Sequence, residues 1–173
     1  MEEVEAGEII EYDFPKIDNF SHEDVSEFMW GDVLPEEVRL QMITTGTWNE
    51  DLNYDIEYIT NKNSNWKTLD HNVSTKENKK IKVTDTDLGL GTEEHLQEFR
   101  FMFGKVGQSF SEIIMPSILA KVIEVPKNNE LLTNKAYIKA SYSDKEFASN
   151  DEIETIIYTK TATLSKLLVR LEH

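Results

Sequence analysis

Alternating apolar and polar side chains predict an all-β chain folded as an antiparallel β-sandwich, and three observations carry that expectation. Apolar residues recur at every second position in one segment after another, the spacing that puts one face of a strand on a core and the other in water. Clusters of Asn, Asp, Gly and Ser divide these segments at the spacing of short turns. The 173 residues contain no Gly-rich linker or low-complexity tract, so the segments belong to one domain.

The segments follow in order. Ile10-Glu11-Tyr12-Asp13-Phe14 alternates apolar residues with acids, and Pro15, which has no N–H for a ladder, ends that strand or keeps it at an edge. Leu52, Tyr54, Ile56 and Tyr58 share one face, with Asn53, Asp55 and Glu57 on the other. Asn61 to Asn65 is turn chemistry, and Trp66-Lys67-Thr68-Leu69 restarts the alternation, which reads as a hairpin. Phe99, Phe101 and Phe103 lie on one face of a strand that Gly104 is expected to end. Ile113 to Val125 is strand-rich but broken by Pro116, and Ala136 to Ala140 and Ile153 to Thr161 complete seven to ten expected strands. One or two short helical turns are expected, at Pro35-Glu36-Glu37-Val38 and Thr92-Glu93-Glu94, from a proline at a first helical position and a capping threonine before acids. The domain is expected over 7–163, with 164–170 a tail or linker. Leu171-Glu172-His173 reads as a tag remnant and Met1 as an added start.

Composition narrows the function. Lys plus Arg total 18 against 33 Asp plus Glu, a net charge of −15 that argues against nucleic acid and anionic bilayers, both of which need clustered cations. Cysteine is absent, which removes disulfides, thiolate metal sites and thiol nucleophiles. No run approaches the ~20 apolar residues of a membrane span, so no membrane insertion is expected. MEEVEAG has no secretory n- or h-region.

Several segments in a fixed order carry a family resemblance: GEIIEYDF (Gly7 to Phe14), FMWGDVLPEEVRL (Phe28 to Leu40), TGTWN (Thr45 to Asn49), NYDIEYITNKN (Asn53 to Asn63), EFRFMFGKVGQSF (Glu98 to Phe110) and LTNKAYI (Leu132 to Ile138). In this order the chain resembles the repeat domains of Gram-positive, especially clostridial, cell-wall-anchored surface proteins, immunoglobulin-like sandwiches related to the DUF11 and collagen-adhesin modules. The resemblance implies an immunoglobulin-like sandwich, an extracellular wall-anchored location, and a non-catalytic structural or adhesive role. Neighbouring domains of a parent chain are then partners, and a glycan or host protein is the alternative partner. Gly31 to Pro35 is expected to be the turn after a strand carrying Phe28 and Trp30, and Asn134 to pin an edge or turn.

The resemblance also suggests one piece of chemistry, an intramolecular isopeptide bond, which needs a lysine amine, an Asn carbonyl and a protonated acid together in an apolar core. Lys16 continues the period-2 face of Ile10, Tyr12 and Phe14 and is nominally inward, Asn134 lies in a late strand, and Asp32 follows Trp30. The competing reading has Lys16 reaching solvent, Asn134 bonding backbone and Asp32 capping a turn. Asp85-Thr86-Asp87 and Asn150-Asp151-Glu152 offer hard oxygens for calcium but match no calcium loop, so solvated turns are the stronger reading. His22, His71, His95 and His173 lack metal-ligand spacing, so no metal or cofactor is expected. GxSxG, Walker A and GxGxxG motifs are missing, Gly89 to Glu94 reads as a turn, and no enzymatic activity is expected. Trp48, Trp66, Tyr54 and Tyr58 form either an aromatic platform for sugars or core and hairpin packing, the latter favoured by the face Tyr54 and Tyr58 share with Ile56. Lys76, Lys79, Lys80 and Lys82 read as a solvated strand or turn.

Overall fold

The computed structural model describes residues 5–124, 131–142 and 145–156, and within them the chain is built from strands and turns. The strands are β1 (Ile9–Asp13), β2 (Val25–Val33), β3 (Val38–Thr44), β4 (Thr47–Trp48), β5 (Asn53–Thr60), β6 (Asn63–Ser74), β7 (Lys80–Lys82), β8 (Leu96–Val106), β9 (Glu112–Ile114), β10 (Ser117–Val122), β11 (Leu131–Tyr142) and β12 (Lys145–Ile156). Every pairing is antiparallel. A four-stranded sheet, β1-β10-β3-β7, faces a six-stranded sheet, β12-β11-β2-β8-β5-β6, and β4 and β9 form a small third ladder. This is the antiparallel β-sandwich that the alternation predicts, of the immunoglobulin-like kind that the resemblance implies.

The apolar faces close on each other. Ile10, Tyr12 and Phe14 meet Phe28, Trp30, Phe99, Phe101, Tyr54 and Ile56 in a single core. Trp30 sits at its centre, 1% exposed, with edge contacts at 4.9 Å to Phe14, 5.5 Å to Phe99 and 4.7 Å to Phe101. Trp48, fully buried, extends the cluster through Phe103 at 4.8 Å and Phe110 at 6.2 Å. Each such pair adds about 0.5–1.5 kcal/mol beyond area burial. Trp30 with Phe99 and Phe101 ties neighbouring strands of the six-stranded sheet together, and Phe14, just past β1, reaches Trp30 from the facing sheet.

Local details depart from the sequence expectations for identifiable reasons. The segments at Pro35 and Thr92 are hydrogen-bonded turns (Val38 N–H to Pro35 carbonyl, Glu94 N–H to Gly91 carbonyl) and not helical. Each is too short to propagate a helix before the next strand begins. Gly104 does not end its strand: with φ +80° it lies at a register shift in the β2–β8 ladder, and β8 runs on to Val106. Gly31 to Val33 belong to β2, and the turn comes later, after Leu34.

The direction of the strands defines two poles. β2 runs from Val25 to Val33, pairing Val25 with Val106 at one end and Val33 with Glu98 at the other. β1 runs the same way along the facing sheet as β2 runs in reverse: past Phe14, the Ile17 carbonyl accepts the Trp48 indole N–H at 3.4 Å and Asn19 Nδ2 donates to the Gly107 carbonyl at 2.9 Å. The end of β1 is therefore at the Val25 pole and its start, Ile9, at the Val33 pole. β12 pairs Lys145 with Tyr142 and Ile156 with Leu131, so it finishes at the Val33 pole too.

Candidate functional site

The inward face of β2 carries Phe28, Trp30 and then Asp32, and that of β11 carries Leu132, Asn134, Ala136 and Ile138. Strand pairing places Asp32 opposite Ala136, one inward step from Asn134. Asn134 Nδ2 donates to Asp32 Oδ1 at 2.7 Å, and both residues are 0% exposed. Burial pushes the Asp32 carboxyl well above the usual carboxylate range; the Asn134 bond opposes that and the Glu98 charge adds to it. Asp32 Oδ2 and Asn134 Oδ1 have no hydrogen-bond partner.

Lys16 is not part of this cluster. It is exposed, its φ is +65°, and its backbone N–H donates to Glu112 Oε1. The inward placement expected of it is corrected: the period-2 count holds only while the strand does, and β1 stops at Asp13 before the Pro15 break. Asp32 and Asn134 come together as the sequence suggested, but inside a sheet and on each other, where a turn cap and an edge pin were the alternatives.

The outer face of the six-stranded sheet holds a second constellation. Tyr137, Gly31, Arg100 and Glu57 are register partners in turn across β11, β2, β8 and β5. Arg100 donates through Nε (2.9 Å) and Nη2 (2.7 Å) to Glu57 Oε1, and its guanidinium lies 3.7 Å from the centre of the Trp66 ring. Tyr137 crosses the space left by Gly31 and donates its hydroxyl to Glu98 Oε2 at 2.6 Å; burial and that carboxylate push the phenol up. Lys139 Nζ stands 5.0 Å from the Tyr137 ring centre. The result is a half-buried strip of aromatic and charged groups, each with a partner, running across the sheet.

The other candidates separate cleanly. Trp48, Tyr54 and Tyr58 are buried in the core, so an aromatic platform made of them with Trp66 does not exist; Trp66 alone of the four lies on the outer face. Asp87 Oδ2 accepts from Thr84 N–H and Oγ1 at 3.0 and 2.7 Å, which closes a turn and holds its carboxyl below the usual range. Asn150-Asp151-Glu152 lie within β12, not in a loop. Among the described residues no three His, Asp or Glu side chains converge as metal ligands. His71 pairs with Asp55 at 2.8 Å, His22 is an exposed positive-φ residue, and His173 lies outside the described residues. Lys79 pairs with Asp70 at 2.7 Å and Lys76 Nζ donates to the Trp48 carbonyl at 3.2 Å, while Lys80 and Lys82 are exposed on β7.

Glu57, Glu98, Arg100 and Tyr137 were not singled out by sequence reasoning. Their signal was present as the polar half of the alternation in β5 and β8, but neighbours on three different strands cannot be paired without the register. Glu112 was missed as well. It accepts from the backbone N–H groups of Lys16 and Ile17, its Oε2 is buried without a partner, and burial pushes its carboxyl to about 7.

No protein-family model and no curated protein matches the chain. Among solved structures, the collagen-binding subdomain ACE19 of the Enterococcus faecalis surface protein ACE aligns over 91% of this chain and 99% of its own length, with 12% identity and a TM-score of 0.34. No helix among the described residues is long and apolar enough to cross a membrane.

Proposed function

We infer that the chain is a non-catalytic structural or adhesive module of a bacterial cell-wall-anchored surface protein, acting outside the cell and joined to neighbouring domains of a parent chain. The observation that supports this reading most is the division of labour between faces. The interior is filled by side chains, and the chemistry-bearing groups on the six-stranded sheet are laid out as a broad strip with its own internal bonds. A prepaired strip of this kind offers shape and fixed polarity to a large partner without activating a nucleophile or base. The net charge of −15 keeps such a module dispersed at high local density.

A second reading, a carbohydrate- or host-protein-binding sandwich, is favoured by Trp66, an aromatic ring on the outer face beside Arg100. Titrating the immobilised chain with wall polysaccharides, a glycan panel and matrix proteins separates the two. Saturable binding weakened about tenfold or more by Trp66→Ala assigns a ligand-binding role. Flat signals across the panel leave the structural role, and turnover of any panel member overturns both.

A further inference from the structure

Two unsatisfied buried oxygens in one side-chain pair need an explanation, because each stranded polar atom destabilises the fold. Asp32 Oδ2 and Asn134 Oδ1 belong to groups already joined at 2.7 Å through Asp32 Oδ1 and Asn134 Nδ2. A carboxylate has no donor for the amide oxygen, whereas a carboxylic acid has one. We propose that Asp32 is held as the neutral acid and closes a two-bond ring with Asn134: Asn134 Nδ2–H donates to Asp32 Oδ1 while Asp32 Oδ2–H donates to Asn134 Oδ1. One proton satisfies both oxygens and fastens β11 to β2. On ionisation that proton leaves to solvent, the second bond is lost, and a bare charge remains in the core, so the ring is an alkali-sensitive latch.

Burial and the Glu98 charge favour the neutral form, while the Asn134 bond opposes it. On β2 the inward neighbour is Trp30, and Ala136 lies opposite Asp32 on β11. Glu98 of β8 and Tyr137 of β11 are the titratable groups acting on it from the six-stranded sheet; the former repels a charge at Asp32, and the latter is itself committed to Glu98. Arg100, the nearest cation of β8, is held by Glu57. On the facing sheet the inward residues are Ile10 and Tyr12 of β1, Val38, Leu40 and Ile43 of β3, and Ile118, Ala120 and Val122 of β10; Tyr12 is the one titratable side chain among them and none is a cation. Desolvation then dominates the Asp32 carboxyl and raises its affinity for the proton.

Urea unfolding of the full chain and of Asp32→Asn and Asp32→Leu, from about pH 4 to about pH 9, tests this. Asparagine at 32 has an N–H where the acid has an O–H, so at about pH 4, where the unfolded acid is only about half ionised, it should match the wild-type folding constant within about threefold, while leucine, which strands Asn134, should lose at least about tenfold. Above the ordinary carboxylate range the Asp32→Asn to wild-type ratio should climb by about tenfold per pH unit until the folded-state acid ionises. A pH-independent ratio, or Asp32→Asn losing as much as Asp32→Leu at about pH 4, overturns the proposal. If the variants do not fold, the carboxyl carbon resonance of Asp32 in the wild-type chain decides: no titration between about pH 3 and pH 7 supports the latch, and an ordinary titration near about pH 4 overturns it.

Discussion

Tyr137 occupies the space that a side chain on Gly31 would fill: a Cβ there would come within 2.3 Å of both Cζ and the hydroxyl of Tyr137. The two are register partners on β11 and β2, so the missing side chain of one lets the other lie flat across the sheet and reach Glu98. Gly31→Ala should therefore drive Tyr137 off the face and break its bond to Glu98. The expected loss is about 1–3 kcal/mol in denaturant unfolding. In a Tyr137→Ala background the same substitution should be nearly silent, and a double-mutant cycle reads the difference.

Glu112 should make stability pH-dependent near neutrality. Its folded-state value, about 7, lies above the ordinary 4.5, so folding favours the neutral form. That contribution is complete below about pH 4.5 and is lost as the pH rises through about 7. Glu112→Gln keeps an acceptor for the Lys16 and Ile17 N–H groups and removes the titration. It should match wild type at acid pH and exceed it by about 1 kcal/mol at pH 8, the value being reduced by solvent screening of a partly exposed group.

Arg100 is held by two bonds to Glu57 and by the Trp66 ring beneath it. Lysine retains the charge but neither the fork nor the flat face. Arg100→Lys should lose about 1 kcal/mol and Arg100→Ala about 1–2 kcal/mol in thermal or urea unfolding. If the strip contributes nothing to the fold, both variants will unfold like the wild type.

With Lys16 exposed and Asn134 fully buried, no bond between the two is expected. The intact mass should equal the sequence sum, and a tryptic digest should release the Lys16 peptide unlinked. Loss of one ammonia, with the Lys16 and Asn134 peptides joined, would refute this.

The sandwich was legible because burial imposes a period on each strand: the faces of Ile10-Tyr12-Phe14, Tyr54-Ile56-Tyr58 and Phe99-Phe101-Phe103 all turn inward as read. Asp32 and Asn134 were brought together in advance only by the cross-link chemistry that the resemblance suggested, and not by the alternation, yet they do meet. Lys16 was misplaced because alternation carries no information past a proline and a positive φ. The outer strip was hidden for a different reason. Glu57, Arg100, Gly31 and Tyr137 are far apart in sequence, and register shifts in the β2–β8, β5–β8 and β2–β11 ladders decide which of them meet.

The shared pole of Ile9 and Ile156 has a mechanical consequence. Tension applied through these two residues would pull sideways on the first rungs of the β1–β10 and β12–β11 ladders. Such rungs give way one at a time, like a zip, instead of resisting together in shear. Held at those points, the molecule is a tether whose outermost strands peel first, and the loss of β1 would take Ile10 and Tyr12 out of the core.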